Sequence, residues 1–407
     1  MRIIYITSEF IDEGTSCPCD GGLARYLTKI TQAMSARGHD VGVVVFGARS
    51  THTVDWRGVD VHFVDKSYGY SKLQRLWMKV IPETWRRAYE SRTMAGKVSR
   101  EIRRMGAERK IDIIQYASYL GMGRCPEKDI PNCVRISSYA KLWQKNYGYS
   151  DPDEIRDETW QFRRARFLYG PSAEMAAYIR RDLGLKREIA VIETPFEPIA
   201  DEPDEGLWRD LESGIGSDPY LLFFGSIGKL KGCDEIAACI HGILARYPRL
   251  HLVLIGKVMS EDGAATSLDR IRTAAAEHAD RVHWLDRQPH ARLMPVLDHA
   301  KAVLLPSRID NLPNTCIEAM SRSKVVIGSR GASFEQLIED GENGILCEAG
   351  VPESISRAVE RLMGMSEEQL AEMGRAARAR TDRMSVGVIV RQVEDYYRQV
   401  IANWRRK

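Results

Sequence analysis

The sequence predicts an α/β protein of two doubly wound, Rossmann-like domains. Three observations predict it. Short apolar runs rich in Val and Ile alternate with longer amphipathic stretches along most of the chain, the rhythm of parallel strands joined by covering helices. That rhythm breaks over 195–219, where Pro, Asp, Glu and Gly accumulate as in a linker. The 407 residues suit two domains of about 200 residues each. The expected domains are 1–197 and 198–384. A last helix over 385–407, with Val390, Val393, Tyr397 and Ile401 at helical spacing, is expected to pack across both. Two such domains facing each other place their strand C-termini at a central cleft, where ligands of these sheets bind.

In the first half, strands are expected at 2–7, 41–46, 60–64, 112–115, 133–137, 166–169 and 189–193, with helices at 23–36, 84–106 and 172–183. In the second, strands are expected at 220–224, 251–255, 281–285, 302–305, 324–327 and 344–347. Helices intervene near 232–246, 266–278, 290–298, 314–322 and 352–362. The longest apolar runs, such as Leu221-Leu222-Phe223-Phe224, are strand-sized. They fall far short of the ~20 residues that a membrane-spanning helix needs.

The opening Met1-Arg2-Ile3-Ile4-Tyr5-Ile6-Thr7 turns polar too soon for a secretory signal, so a cytoplasmic chain is expected. The eight cysteines are scattered, and Cys17-Pro18-Cys19 has no second pair or His cluster to complete a metal site. Free thiols and no bound metal are expected. Net charge is only +3, but residues 1–197 carry 32 Lys+Arg against 25 Asp+Glu. Residues 71–110 carry 12 against 4, with Trp77 and Trp85 interleaved. That stretch fits a solvated helical face, or a surface that meets anionic lipid at the inner face of the cell membrane or an anionic acceptor. No nucleic-acid partner is expected.

Three segments carry candidate chemistry. Gly21-Gly22 follows the first strand and opens a helix, where the backbone can approach a ligand and the helix N-terminus favours an anion. Phe224-Gly225-Ser226-Ile227-Gly228-Lys229-Leu230-Lys231-Gly232 is a strand, a Gly/Lys loop and a helix start, suited to a diphosphate or to a plain surface turn. The loop lacks the Gly-Lys-Ser/Thr of a P-loop. The third segment follows the strand at 302–305 and runs from Pro306 to Met320. It holds two acids eight apart, Asp310 in a loop and Glu318 in the next helix. Asn314 is expected to cap that helix, leaving the amides of Leu312, Asn314 and Thr315 to face an anion. Glu318 could accept hydrogen bonds from a ribose diol and Asp310 could hold sugar hydroxyls; alternatively one acid caps the helix and the other is an ordinary surface acid. Asp151-Pro152-Asp153 looks like a metal-binding Asp-x-Asp but reads better as a turn.

The order of these features resembles the retaining, nucleotide-sugar-dependent glycosyltransferases of the GT-B fold, in the large glycogen-synthase-like, sucrose-synthase-like and mannosyltransferase-like family (the family 4 type). Gly21-Gly22-Leu23 through Arg37-Gly38-His39-Asp40-Val41 resembles that family's opening helix. Lys231-Gly232 resembles its phosphate loop, 310–318 its two-glutamate signature, and Gly341-Glu342-Asn343-Gly344 a later turn. The resemblance implies a nucleoside diphosphate sugar as co-substrate, no other cofactor, and a glycan, lipid-linked or small-molecule acceptor, as in bacterial polysaccharide assembly. It implies Asp310 and Lys231 as catalytic residues. Gly22, Gly225, Lys229, Asn311, Leu312, Asn314, Thr315 and Glu318 join them as donor contacts, and Arg25, Tyr26, Ser137 and Ser138 fall on the acceptor side.

The chain also departs from the pattern: Asp310 stands for a glutamate, Ser226 for an arginine, Ser137-Ser138 for a histidine, and Glu193-Thr194-Pro195-Phe196 for Pro-Asn-Gly-Val. These departures keep two alternatives in view, a same-fold epimerase or phosphorylase and a non-catalytic binding module.

Overall fold

Arg2–Thr7 is a run of six buried residues, as a strand covered on both faces requires. In the computed structural model, which describes residues 1–12, 21–68, 76–147, 151–198, 201–260 and 265–404, this strand, β1, lies inside an eight-stranded sheet. Its partners are β2 (Asp40–Ala48), β3 (His52–Trp56), β4 (Val59–Asp65), β5 (Ile113–Ala117), β6 (Asn132–Arg135), β7 (Leu168–Gly170) and β8 (Ala190–Val191). The order is β3-β4-β2-β1-β5-β6-β7-β8, parallel except for the β3–β4 hairpin. The chain direction across the sheet reverses between β1 and β5.

The hairpin is absent from the sequence expectation. Its two-residue turn is Arg57-Gly58, both at positive φ, and only the glycine advertises that conformation. Two further helices, Ala140–Tyr147 and Pro152–Arg164, are also additions. The Asp151 side chain accepts a hydrogen bond from the Asp153 amide at 2.9 Å, with Pro152 in the first helical position. Asp151-Pro152-Asp153 is therefore a helix start.

The second sheet has six strands, all parallel: β9 (Tyr220–Phe224), β10 (His251–Ile255), β11 (Val282–Leu285), β12 (Ala302–Leu305), β13 (Val326–Arg330) and β14 (Ile345–Glu348). Their order is β11-β10-β9-β12-β13-β14, with the reversal between β9 and β12. The expected linker contains the helix Gly206–Ile215, whose Leu207, Leu211 and Ile215 are buried in this unit's core. Their four-residue spacing was masked by the surrounding Pro, Asp and Glu. A second unanticipated helix spans Glu367–Asp382.

The compact units are Met1–Pro195 with Val386–Lys407, and Phe196–Ser385. The C-terminal helix Val386–Trp404 thus counts with the first unit. Ile389, Val390, Val393, Tyr397 and Val400 join a core with Ile30, Val43 and Ile113. A buried polar knot sits inside that core. The Tyr397 hydroxyl donates to Gln115 Oε1 at 2.6 Å, and the Tyr169 hydroxyl donates to the same oxygen. Tyr26 completes the chain at 2.9 Å from the Tyr169 oxygen. Gln115 is 1% exposed, so its loss leaves two hydroxyls with no water to turn to. We expect Gln115→Leu to destabilise the first unit by about 2–4 kcal/mol and Tyr397→Phe by about 1 kcal/mol, measured by denaturant unfolding. Equal effects would show that the knot is not cooperative.

Candidate functional site

In a doubly wound sheet, helices on either side of the reversal leave in opposite directions, and a crevice opens beyond the carboxyl ends of the two strands. In the second unit those ends are Phe224 and Leu305. Both lysine and acid segments emerge there. Gly225 follows β9 at φ +132, and a Cβ on it would lie 3.7 Å from Thr315 Cγ2. A short 3-10 turn, Lys229–Lys231, comes next. It ends on Gly232 at φ +75, where a Cβ would come within 1.9 Å of the Pro306 carbonyl oxygen, so only glycine fits. The Arg308 amide donates to the Leu230 carbonyl at 2.8 Å and locks the two loops together.

This close approach brings Lys231 Nζ to 2.5 Å from Asp310 Oδ2. The other oxygen of Asp310 accepts from the Asn311 amide at 2.9 Å, and its carbonyl accepts from Ser333 Oγ at 3.0 Å. Beside the pair, Arg308 Nε donates to Glu235 Oε1 at 2.6 Å, with Glu235 almost fully buried. Ser333, Arg308 and Glu235 had no motif to mark them. The available signal was position, since Arg308 lies in the acid segment and Glu235 in the first turn after Lys231-Gly232.

The helix after the acid loop, Asn314–Ser321, has Pro313 in its cap position, which offers no side-chain hydrogen bond and leaves the start uncapped. Asn314 is therefore its exposed first residue rather than its cap. The amides of Asn314 and Thr315 have no acceptor among the described residues, leaving a positively polarised end next to Gly225. Leu312 is a core residue. Glu318, one turn along the helix, is mostly buried, with Oε1 3.6 Å from His290 Nε2. It lines a cavity of about 250 Å³ together with Phe196, Met294, Asp298, Arg322 and Arg378, a wall without Lys231 or Asp310. Lys229 is exposed and has no partner among the described residues. The structure thus brings Gly225, Lys231, Asp310, Asn311, Asn314 and Thr315 to one end of one sheet.

In the first unit, Gly22 opens the helix Gly22–Ala36 behind Gly21, and a Cβ on Gly21 would strike the Glu9 carboxylate at 2.5 Å. Arg25 is half-buried with no side-chain partner among the described residues. Tyr26 departs from expectation. Its ring is buried and its hydroxyl is bound to Tyr169, so it is a core residue and is set aside as an acceptor contact. Ser137 and Ser138 follow β6, and the Ser137 amide donates to Ser118 Oγ at 2.9 Å. Ser138 faces Glu158, whose Oε2 accepts from the Ala140 amide at 2.6 Å. Burial pushes the Glu158 carboxyl well above the usual carboxylate range.

Cys17-Pro18-Cys19 lies outside the described residues, and the other six cysteines are free. Among the described residues, His241, Glu277 and His278 form the one cluster with metal-ligand spacing, and it contains no residue of the β9–β12 crevice.

Known proteins match both halves. Residues 20–198 match the family described as Glycosyltransferase Family 4, and residues 211–380 match Glycosyl transferases group 1. A D-inositol 3-phosphate glycosyltransferase from Segniliparus rotundus is 27% identical over 42% of this chain and 38% of its own length. A lipopolysaccharide core biosynthesis mannosyltransferase from Rhizobium leguminosarum bv. viciae is 26% identical over 36% of this chain and 41% of its own. The chain therefore spans about two fifths of the length of these curated relatives. Sucrose-phosphate synthase from Thermosynechococcus elongatus superimposes with a TM-score of 0.73 at 17% identity, covering 99% of this chain and 100% of the other. Anabaena HepE, solved with UDP, gives 0.71 at 15% identity, covering 98% and 100%.

The raised Glu158 carboxyl has a consequence for stability. The folded state keeps this proton where the unfolded chain has lost it, so stability falls as pH climbs above the ordinary glutamate range. The slope is at most about 1.4 kcal/mol per pH unit. Glu158→Gln removes that slope. Unfolding at pH 5 and pH 8 is expected to show the Gln variant gaining on the wild type at the higher pH; an unchanged difference would contradict the assignment.

Proposed function

We propose that this chain, which belongs to the GT-B glycosyltransferases of the family 4 type, transfers a sugar from a nucleoside diphosphate sugar with retention at the anomeric carbon. The observation that carries the reading is the Lys231–Asp310 pair beside the uncapped start of the helix Asn314–Ser321, at the reversal point of the second sheet. Lys231 and the two amides form a cationic, hydrogen-bond-donating surface that stabilises the diphosphate as it gains charge. Asp310 loses its lysine to the phosphate and turns to the sugar hydroxyls. Glu318 receives the ribose. The bond from the anomeric carbon to the phosphate oxygen breaks as the acceptor oxygen bonds on the same face, and the acceptor proton passes to the departing phosphate. Side-chain and backbone charge do the neutralising without a metal ion. HepE binds UDP, and a trehalose-6-phosphate structure from E. coli binds UDP-2-fluoro glucose, which supports a uridine donor.

By calorimetry, Lys231→Ala and Glu318→Ala should each weaken UDP binding by about 10- to 100-fold, the range for losing a charge-assisted hydrogen bond, with unfolding still cooperative. Turnover should persist in EDTA. Wild-type affinity in both variants would overturn the site, and donor conversion without an acceptor would favour an epimerase.

The acceptor in this reading is lipid-linked. No described helix is long and apolar enough to cross a membrane, but Leu76, Trp77, Val80 and Trp85 are each more than half exposed within ten residues. The expected basic surface is weaker than its composition, because Arg87, Lys97, Arg103 and Arg104 are paired with Glu83, Asp65, Glu127 and Glu101. Lipid contact then rests more on tryptophan at the interface than on arginine. Trp77→Ser with Trp85→Ser should abolish sedimentation with anionic vesicles and leave UDP affinity unchanged. Replacing Arg87, Arg103 and Arg104 should matter less. Vesicle binding kept by the tryptophan variant would overturn the role of the tryptophans, and a wild type that ignores anionic vesicles at low salt would point to a soluble acceptor.

A further inference from the structure

His241 lies on the helix Cys233–Arg246, which starts directly after Lys231-Gly232. Glu277 and His278 lie on the 3-10 turn Ala276–Arg281, which leads into β11. The fold holds these two elements together without help from the three side chains. The Arg281 guanidinium donates to the carbonyls of Leu244, Tyr247 and Leu250 at 2.9–3.1 Å, so the turn is tied to the end of the helix and the chain just beyond it. Residues three apart in a 3-10 turn eclipse one another, which puts His278 on the same side as Arg281, facing the helix. The backbone before the turn is forced: Ala276 ends the helix Ser267–Ala275 at φ +51, ψ −120, a conformation suited to glycine.

The result is a cluster of three metal-ligating groups. His241 and Glu277 are exposed, His278 is half-buried, and their ligand atoms all lie within 4.8 Å of one another. The two imidazole rings stack with centres 5.3 Å apart. One Glu277 oxygen is 3.9 Å from His241 Nδ1, and the other is 3.8 Å from His278 Nε2. Those separations are too long for hydrogen bonds. They are close to the roughly 3.4 Å that separates two ligands of one tetrahedral zinc ion with bonds of about 2.0–2.1 Å. His278 Nε2 is out of reach of water and makes no hydrogen bond to any described residue. A buried polar nitrogen ordinarily has a partner. Glu277 and His241 stand beside this nitrogen and both are at the surface, so an ion reaches it from solvent by displacing side chains and not by opening the core.

We propose that His241, Glu277 and His278 bind one divalent transition-metal ion of the zinc type, with water in the fourth position. Two imidazoles and one carboxylate favour zinc over magnesium or calcium, which take sets of oxygen ligands. The ion clips the helix that follows the lysine loop to the turn that precedes β11. It shares no residue with the β9–β12 crevice and takes no part in the transfer step, so the inference stands apart from the transferase reading.

The probe is zinc chloride, titrated by calorimetry into the full chain freed of metal beforehand. The wild type should bind one ion more than His241→Ala, and excess magnesium should not compete. His241 is exposed, so its replacement leaves the core untouched. Glu277→Gln keeps the shape of the side chain and removes its charge. It should weaken zinc binding at this site by about tenfold or more, since even residues that only orient a metal ligand cost about 10- to 100-fold when lost. Zinc should also raise the unfolding midpoint of the wild type more than that of His241→Ala. A wild type that binds no zinc, or zinc bound equally by the wild type and His241→Ala, would overturn the inference. Zinc binding that survives both substitutions and disappears when the cysteines are alkylated would place the ion on thiols, which also overturns it.

Discussion

The ion pair between Lys231 and Asp310 is the contact on which the candidate site depends. It joins two loops 79 residues apart in the chain, and it forms only because the strands before them, β9 and β12, are neighbours in the sheet. Gly232 lets the first loop press on the Pro306 carbonyl, and Arg308 ties the second loop to Leu230. Any larger residue at 232 would push the lysine away from the acid. The pair also solves an electrostatic problem. A lysine held near the positive end of a helix would be repelled by it, and the partnering carboxylate keeps the cation in place until a diphosphate competes for it.

Much of this was legible in the sequence. The strand rhythm placed most of both sheets, because parallel strands buried on both faces must be continuous apolar runs. The Lys231-Gly232 and 310–318 segments named the donor candidates. What escaped has physical reasons. The β3–β4 hairpin turns on Arg57, a residue that gives no hint of positive φ. The helix Gly206–Ile215 hides three core residues among polar ones. Pairings such as Arg308 with Glu235 are tertiary facts without a local pattern. Tyr26 sits on a helix at the right end of the sheet, and only the burial of its ring shows that it serves the core.

Composition misled in one respect. The 71–110 stretch is strongly basic as a count, yet several of its arginines and lysines are balanced by acids from β4, the helix Pro152–Arg164 and their own helix. Ion pairs at a surface contribute little to stability, but they do cancel the long-range field on which a charge argument rests. The exposed Trp77 and Trp85 within that stretch carry no charge to be cancelled.

The measurement that tests the central claim most directly is a crystal structure of the chain with UDP bound. The account predicts phosphate oxygens within hydrogen-bond distance of Lys231 Nζ and the Thr315 amide, with Asp310 released from the lysine. A UDP molecule that touches neither group, while Lys231 and Asp310 remain joined, would contradict it.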